Sequence, residues 1–219
     1  MGQDAPFTIC QQKHRYKMSF MHLPEPDLEQ FALTLFDINA VRLGQFRLHS
    51  GVISPIYLDL RMLVSYPAAL RLATAVYQRL LIDLEFDLLA AAPMAGLPLG
   101  TALSLATDRP LIYPRKTAKS YGTGKDIEGA YHVGQTAVVL DDLVTSGDSI
   151  LQAIVALKAA GLHVRDAIVL VDREQGGMET LREAGYQPHA ALTIRQLLAT
   201  LETYNRITPR DRAKVLQSL

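Results

Sequence analysis

The chain has 219 residues, of which 49% are hydrophobic and 20% charged, a composition typical of a globular domain with a sizeable core and not of a disordered chain. Lysine plus arginine equals aspartate plus glutamate at 22 each, so we expect no general attraction to nucleic acid or to an anionic membrane. The single cysteine, Cys10, excludes an internal disulfide and fits a reducing cytoplasm.

The N-terminal third predicts an extension, a helix and a hairpin. Residues 1–22 are polar and patternless, and we expect a disordered extension without a secretory signal, followed by a single domain over 23–219. Apolar residues recur at helical spacing from Leu28 to about Ile38. Alternating runs at 46–48 and 56–58 predict a small antiparallel hairpin.

The rest of the chain alternates between strands and helices, which predicts a parallel sheet of about five strands with helices on both faces. Pro67 suits the first turn of a helix that reaches about Leu84. The strands are predicted at 88–92, 111–113, 138–140, 167–171 and 189–193, and the later helices at 97–106, 150–160, 178–184, 195–204 and 208–219.

One stretch, Leu88–Ala106, carries no charge and raises the alternative of a membrane span. Two prolines and two glycines within it favour a buried strand, a tight loop and a helix instead. We therefore expect no membrane segment.

The most informative segment ends the strand at 138–140. Asp141 and Asp142 follow it directly, and the small-residue turn Thr145–Ser149 leads into a helix. Backbone N–H groups, hydroxyls and a helix N-terminus then face one point, which is typical of a phosphate site. The two carboxylates can accept hydrogen bonds from sugar hydroxyls, so the segment predicts a ribose 5-phosphate site. The structural alternative is an ordinary turn with Ser149 as the helix N-cap.

Asp148 is unusual in a phosphate loop, because a carboxylate repels a phosphate. We expect its side chain to point away from the phosphate and to interact with the helix dipole.

Arg173 lies two residues after the end of the strand at 167–171. The carboxyl ends of parallel strands face the ligand crevice of an α/β sheet, and a guanidinium can bind a planar carboxylate through two hydrogen bonds. A surface salt bridge with Glu174 explains the segment equally well when it is considered alone.

The segment Ala137–Ser149 resembles the phosphoribosyl pyrophosphate (PRPP) signature of the type I phosphoribosyltransferases. The resemblance implies that Asp141 and Asp142 bind the ribose hydroxyls and that the loop binds the 5-phosphate. The donor-site residues expected on this basis, together with the basic loop at 115–125, are Arg115, Lys116, Lys119, Asp141, Asp142, Leu143, Val144, Thr145, Ser146, Gly147, Asp148 and Ser149.

Three further stretches, at 46–61, 115–122 and 166–177, resemble the orotate phosphoribosyltransferases, in the form found as a domain of bifunctional UMP synthase. The implied fold is the type I phosphoribosyltransferase fold with a small hood, built from about 23–65 and the C-terminal part. The resemblance implies that Arg173 holds the orotate carboxylate, and that Thr145, Tyr57 and His49 contact the base. His49 stands where bacterial members have lysine, so we expect a weaker contact there.

The resemblance also implies the reaction. PRPP and orotate would give orotidine 5'-monophosphate and pyrophosphate with Mg²⁺, in pyrimidine biosynthesis. The metal is expected to bind through PRPP and water, with Asp141 or Asp142 as the candidate direct ligands. No histidine and cysteine spacing suggests a zinc site.

The basic loop has an expected catalytic role. On its own, such a run is usually a solvated face. By the resemblance it is a lid that reaches over the neighbouring subunit of a homodimer, where Lys116 and especially Lys119 would stabilise the leaving pyrophosphate. An orotidylate decarboxylase is an expected partner. Two alternatives remain open: a phosphoribosyltransferase for another base, and a non-catalytic, PRPP-binding regulatory paralogue.

Overall fold

The structure is a computed structural model that describes residues 27–47, 51, 53–115 and 126–219. The predicted extension at 1–22, His49, Lys116 and Lys119 lie outside the described residues. The helices are α1 (Leu28–Asp37), α2 (Pro67–Leu81), α3 (Gly96–Thr107), α4 (Asp148–Ala159), α5 (Gly177–Glu183), α6 (Ile194–Thr203) and α7 (Pro209–Leu216). The strands are β1 (Val41–Arg47), β2 (Ile53–Leu58), β3 (Leu88–Ala91), β4 (Leu111–Pro114), β5 (Ile127–Glu128), β6 (Thr136–Val144), β7 (His163–Asp172) and β8 (Gln187–Thr193).

The main sheet has the strand order β5-β4-β3-β6-β7-β8. Five neighbouring strands of this sheet run parallel, namely β4, β3, β6, β7 and β8, which confirms the predicted sheet. The two-residue strand β5 was not predicted, and it pairs antiparallel with β4 at one edge. Strands β1 and β2 form a separate antiparallel ribbon, as predicted.

Two apolar clusters cover the two faces of the sheet, because strand side chains alternate between the faces. Val138 and Leu140 of β6 pack into the cluster that includes α1, α2, α3 and α6, whereas Val139 packs into the cluster with α4 and α5. The central strands are buried on both sides, and their continuous apolar runs follow from that burial. Helices therefore cover both faces, as predicted.

The predicted element boundaries differ most around the site. Strand β6 was predicted to end at Leu140, but it continues to Val144 and therefore contains both acids. Strand β1 begins at Val41, five residues before the predicted run, and a short 3-10 helix at Leu60–Ser65 was not predicted. The uncharged stretch is β3, a tight turn and α3. Within the described ranges, no helix combines the length and hydropathy needed to cross a membrane.

The N- and C-terminal parts of the described chain lie together. The Tyr204 hydroxyl, just after α6, donates to Glu29 Oε2 of α1 at 2.6 Å, and Arg206 pairs with Asp37 at 3.2 Å. Helix α7 contacts the ribbon at β2. The division into an extension and one domain with a hood stays a prediction.

The strand order reverses between β3 and β6. From β3 the chain passes through α3 to β4 on one side, and from β6 it passes through α4 to β7 on the other. Adjacent connections that leave in opposite directions open a crevice at the carboxyl ends of the two strands, where α/β proteins bind ligands. The predicted phosphate site lies at this crevice.

Candidate active site

Asp141 and Asp142 occupy the carboxyl half of β6. Asp141 is 7% exposed and Asp142 is half-buried. The Asp142 N–H donates to Asp141 Oδ1 at 2.9 Å, and the Leu143 N–H donates to Asp142 Oδ1 at 2.8 Å. These short backbone contacts fix the orientation of both carboxylates before any ligand binds.

The surroundings of Asp142 oppose its ionisation. Burial raises the pKa of Asp142, while the Leu143 N–H and the positive charge of Arg61 lower it in part. The ribbon side of the site therefore places a cation close enough to act on this carboxyl.

Tyr77 holds the backbone of Asp141 in place. This α2 side chain is fully buried, and its hydroxyl donates to the Asp141 carbonyl oxygen at 2.6 Å. Burial, and then the nearby negative charges of Asp142 and Asp141, raise the pKa of Tyr77, so the phenol stays a hydrogen-bond donor. Nothing in the sequence alone marks Tyr77 as part of the site.

The phosphate loop connects β6 to α4. Gly147 has a φ of +89° and is the N-cap of α4, so the alternative with Ser149 as N-cap is wrong. Among the described residues no side chain caps α4, and the N–H groups of its first turn have no acceptor within the helix. Uncapped N–H groups at a helix start form an anion site.

The other loop residues surround this helix start. Asp148 is in the first turn, where the dipole favours a carboxylate, and its Oδ2 accepts the Ser146 hydroxyl at 2.7 Å. The side chains of Ser146 and Ser149 are exposed and Thr145 is half-buried. Leu143 and Val144 are the last residues of β6, and Val144 is buried in the core beside α4.

A second helix start adjoins the acids. The Pro93–Met94 peptide is cis, and α3 begins at Gly96 without a side-chain cap. A Cβ at Gly96 would lie 2.9 Å from the Leu140 carbonyl oxygen, so only glycine lets α3 start this close to β6. The Gly96 and Leu97 N–H groups donate to the Ala92 and Met94 carbonyl oxygens, so α4 and not α3 leaves first-turn N–H groups without an acceptor beside β6.

The loop after β7 brings Arg173 beside the phosphate loop. The Arg173 N–H donates to the Val144 carbonyl oxygen at 3.0 Å. A Cβ at Gly177 would lie 2.6 Å from the Thr145 carbonyl oxygen, so the two loops are in backbone contact. Sequence reasoning did not predict this contact.

The Arg173 guanidinium is half-buried, and its Nε has no hydrogen-bond partner among the described residues. Burial lowers its pKa from the ordinary value of arginine. Glu174 instead pairs with Arg195, Nε to Oε1 at 3.3 Å, so the salt bridge between Arg173 and Glu174 is not formed. A desolvated cation without a partner is unfavourable unless a ligand anion compensates it.

The ribbon carries Tyr57, which is half-buried. Its ring centroid lies 5.4 Å from that of Phe46, and the Arg42 guanidinium lies 5.1 Å from the Tyr57 centroid. The Arg61 guanidinium donates to both Asp59 carboxylate oxygens at 2.6 and 3.0 Å and to the Tyr57 hydroxyl at 3.2 Å. These contacts fix the ring orientation of Tyr57.

Arg115 lies directly after β4, at the start of the basic loop. It forms an ion pair with Glu128 of β5, and its N–H donates to the Asp126 carbonyl oxygen at 2.8 Å. Its Nε is buried without a partner in the described chain. The structure therefore joins the two ends of this loop, and the donor-binding role of Arg115 stays a prediction.

No protein-family model matches the chain. A curated relative, the orotate phosphoribosyltransferase of Pyrobaculum aerophilum, is 40% identical over 171 residues, which are 78% of this chain and 89% of that protein. The bifunctional enzyme PyrF/PyrE of Nostoc is 39% identical over 180 residues, 82% of this chain and 38% of the relative.

The fold is also similar to a solved structure. UMP synthase of Leishmania donovani superposes with a TM-score of 0.81 at 42% identity, over 87% of this chain and 42% of that chain. Our chain spans less than half of the Nostoc and Leishmania proteins. The predicted type I fold is confirmed, and the chain belongs to the orotate phosphoribosyltransferase family.

Proposed function

We propose that this protein transfers ribose 5-phosphate from PRPP to orotate, which yields orotidine 5'-monophosphate and pyrophosphate in pyrimidine biosynthesis. The observation that carries the proposal is the half-buried Arg173 guanidinium without a described partner, next to an uncapped phosphate loop. A site that combines a phosphate anchor with an unpaired cation suits a sugar phosphate and a carboxylated acceptor. Membership of the family supports the same reaction.

The donor would bind along β6 and the loop that follows. The N-terminus of α4, the hydroxyls of Thr145 and Ser149 and the backbone N–H of Ser146 suit the 5-phosphate. Asp141 and Asp142 present carboxylate oxygens that can accept hydrogen bonds from the ribose hydroxyls. The small-residue turn at 93–96, before α3, adjoins the same crevice, and we assign it to the pyrophosphate group.

The acceptor would bind between Arg173 and the ribbon. The Arg173 guanidinium can hold the orotate carboxylate through two parallel hydrogen bonds. The aromatic ring of Tyr57 offers an apolar face for the pyrimidine. We also assign Thr145 and His49 to the base, as the family resemblance implies.

The bond to pyrophosphate breaks through a transition state with charge on the ribose and on the leaving group. Lys116 and Lys119 would stabilise the leaving pyrophosphate, with Lys119 having the larger effect. Closure of the basic loop over the neighbouring subunit of a homodimer would exclude water, which would otherwise attack the ribosyl cation.

Magnesium would neutralise charge on the pyrophosphate when it is bound. The donor set fits a hard cation, because Asp141 and Asp142 supply carboxylate oxygens beside the ribose position. Within the described ranges, no group of three or more histidine, cysteine, aspartate or glutamate side chains forms a metal site. We therefore propose that substrate oxygens and water supply most of the coordination.

The product also suggests a partner. Orotidine 5'-monophosphate retains the orotate carboxylate, which must be lost before UMP forms. We propose that an orotidylate decarboxylase acts next, and that both reactions occur in the cytoplasm, in keeping with the lone Cys10.

The direct test mixes the purified protein with orotate, PRPP and Mg²⁺ and follows the loss of orotate absorbance. We expect the loss to need all three components. Consumption of uracil or adenine in place of orotate would instead indicate a phosphoribosyltransferase for another base. PRPP binding without turnover of any base would indicate a regulatory protein.

A further inference from the structure

In the loop after β7 two consecutive residues of opposite charge, Arg173 and Glu174, direct their side chains to different places. The Glu174 N–H donates to Asp172 Oδ1 at 2.8 Å, and Glu174 has a φ of +52°. A positive φ at a residue with a side chain is uncommon, so the backbone turns sharply at this point. The turn directs the carboxylate of Glu174 toward α6.

Arg195 holds the Glu174 carboxylate in that position. In the parallel register Asp172 pairs with Thr193, so α6 begins directly beside the loop. Glu174 Oε2 accepts the Arg195 N–H at 3.1 Å, and Oε1 lies 3.3 Å from Arg195 Nε. The start of a helix also favours a negative charge.

Arg173 has no such partner within the described chain, although its immediate neighbour is a carboxylate. A glutamate next to a half-buried guanidinium would ordinarily form an ion pair with it, because the pair compensates the desolvation of both charges. We propose that Arg195 is a positioning residue that keeps Glu174 away from Arg173, so that the Arg173 guanidinium remains available for the carboxylate of the acceptor. This inference rests on the proposed function.

Loss of the Arg195 guanidinium would leave Glu174 with only a backbone N–H on α6. The carboxylate would then be able to pair with Arg173, where it would compete with orotate and repel it. The phosphate loop contacts neither Glu174 nor Arg195 through any hydrogen bond in the structure's described part. The affinity for PRPP should therefore change little.

The experiment compares Arg195→Met, Glu174→Gln and the double variant in the orotate assay. We expect Arg195→Met to raise the KM for orotate about tenfold, which corresponds to about 1.4 kcal/mol, with the KM for PRPP within about twofold of wild type. Glu174→Gln, whose amide oxygen can still accept from Arg195, should resemble wild type. The double variant should recover most of the orotate affinity, because no competing carboxylate remains.

Arg195→Lys serves as the matched control, since it keeps a cation beside Glu174, and it should stay close to wild type. If the Met variant does not fold, Arg195→Gln alone and with Glu174→Gln gives the same comparison. A double variant that binds orotate as poorly as Arg195→Met would overturn the inference, as would equal rises in both KM values. Wild type and Arg173→Ala run in parallel: absence of orotate turnover in the wild type overturns the proposed function as well, whereas lack of recovery in an active enzyme overturns only the role of Arg195.

Discussion

At the scale of single residues, the acids of β6 combine low exposure with a proposed binding role. Asp141 and Asp142 were predicted as site residues because two carboxylates beside a small-residue turn can accept hydrogen bonds from the hydroxyls of a sugar phosphate. Tyr77 could not be predicted, because a buried aromatic residue on a helix resembles any other core residue until β6 is placed beside it. Arg195 was missed because it is an exposed residue of α6 whose partner, Glu174, lies in the loop after β7.

The first prediction concerns how the charge on Asp142 affects the stability of the fold. Burial raises the pKa of Asp142 above its ordinary value of 3.8, so the native state holds this proton more tightly than the unfolded chain. Protonation of Asp142 therefore stabilises the fold at a pH below the pKa of this carboxyl in the unfolded chain. That stabilisation is lost as the pH rises through its pKa in the folded protein. Asp142→Asn should raise the Tm at pH 7 by about 2–4 °C, as expected for roughly 1 kcal/mol in a chain of this length.

The same variant should lower kcat/KM for PRPP about ten- to hundredfold, because it loses a charged acceptor for the ribose. Thermal melts from pH 3 to pH 8 check the stability, and the gain should disappear near pH 3. Asp37→Asn, which alters an exposed ion pair with Arg206, is the control and should change neither quantity. A lower Tm for Asp142→Asn at pH 7 would contradict the prediction.

The second prediction concerns the hydroxyl beneath the acids. Tyr77→Phe removes the buried donor to the Asp141 carbonyl oxygen, and we expect a loss of about 1–3 kcal/mol in the free energy of unfolding. The KM for PRPP should rise as the Asp141 backbone relaxes. Denaturant unfolding provides the measurement. Tyr204→Phe removes an exposed hydroxyl contact to Glu29 and should cost less than about 0.5 kcal/mol; equal stabilities for the two variants would argue against the support role.

At the scale of elements, the site depends on the contact between the loops that follow β6 and β7. The order of strands and helices was predictable from periodicity, because apolar runs and helical spacing are local properties. The end of β6 was not: Asp141 and Asp142 look like the start of a loop, yet their backbone still pairs with β7. The strand β5 is two residues long and exists only through its pairing with β4, so no local pattern marks it.

The third prediction tests this loop contact with Gly177→Ala. The new Cβ would lie 2.6 Å from the Thr145 carbonyl oxygen and 3.0 Å from the Gly147 nitrogen, so the phosphate loop must shift. We expect the KM for PRPP to rise at least about tenfold, since loop amides would lose alignment with the phosphate. Gly185, just after α5, has a φ of +88°, and a Cβ placed there would have no atom within 4 Å. Gly185→Ala should therefore lose about 1–2 kcal/mol of stability through backbone strain and keep the KM for PRPP. Steady-state kinetics and melts separate the two effects, and an unchanged KM in Gly177→Ala would remove the loop contact from the site.

At the scale of the whole molecule, the reversal of strand order between β3 and β6 creates the crevice. Sequence patterning predicted parallel strands and two covered faces, but adjacency of β3 and β6 depends on contacts between segments far apart in the chain. The carboxylates were therefore recognisable as a motif, while the close approach of Gly96 to β6 beside them required the fold.

The same layout bears on the basic loop and on the proposed homodimer. Its ends are joined at Arg115 and at Asp126, on the far side of β3 from the acids. Two strand spacings separate β4 from β6, about 10 Å, and a loop of this length can extend about 15 Å from its base. A loop of this length could therefore span the distance to its own site, whereas the family resemblance favours the site of an adjacent subunit.

Hybrid dimers distinguish these two arrangements. Lys119→Ala damages the loop and Arg173→Ala damages the pocket, so each variant alone should be nearly inactive. If the loop acts across the interface, a hybrid dimer has one site with an intact pocket and an intact loop, and co-expression in equal amounts should restore about a quarter of the wild-type activity. The control is co-expression of Arg173→Ala with Asp142→Asn. Both substitutions lie in the pocket, so every site of the hybrid dimer is damaged and no activity should be restored. Hybrid dimers are verified by two different affinity tags, one on each variant. Activity of the verified hybrids no greater than that of the separate variants would mean that each loop serves its own subunit.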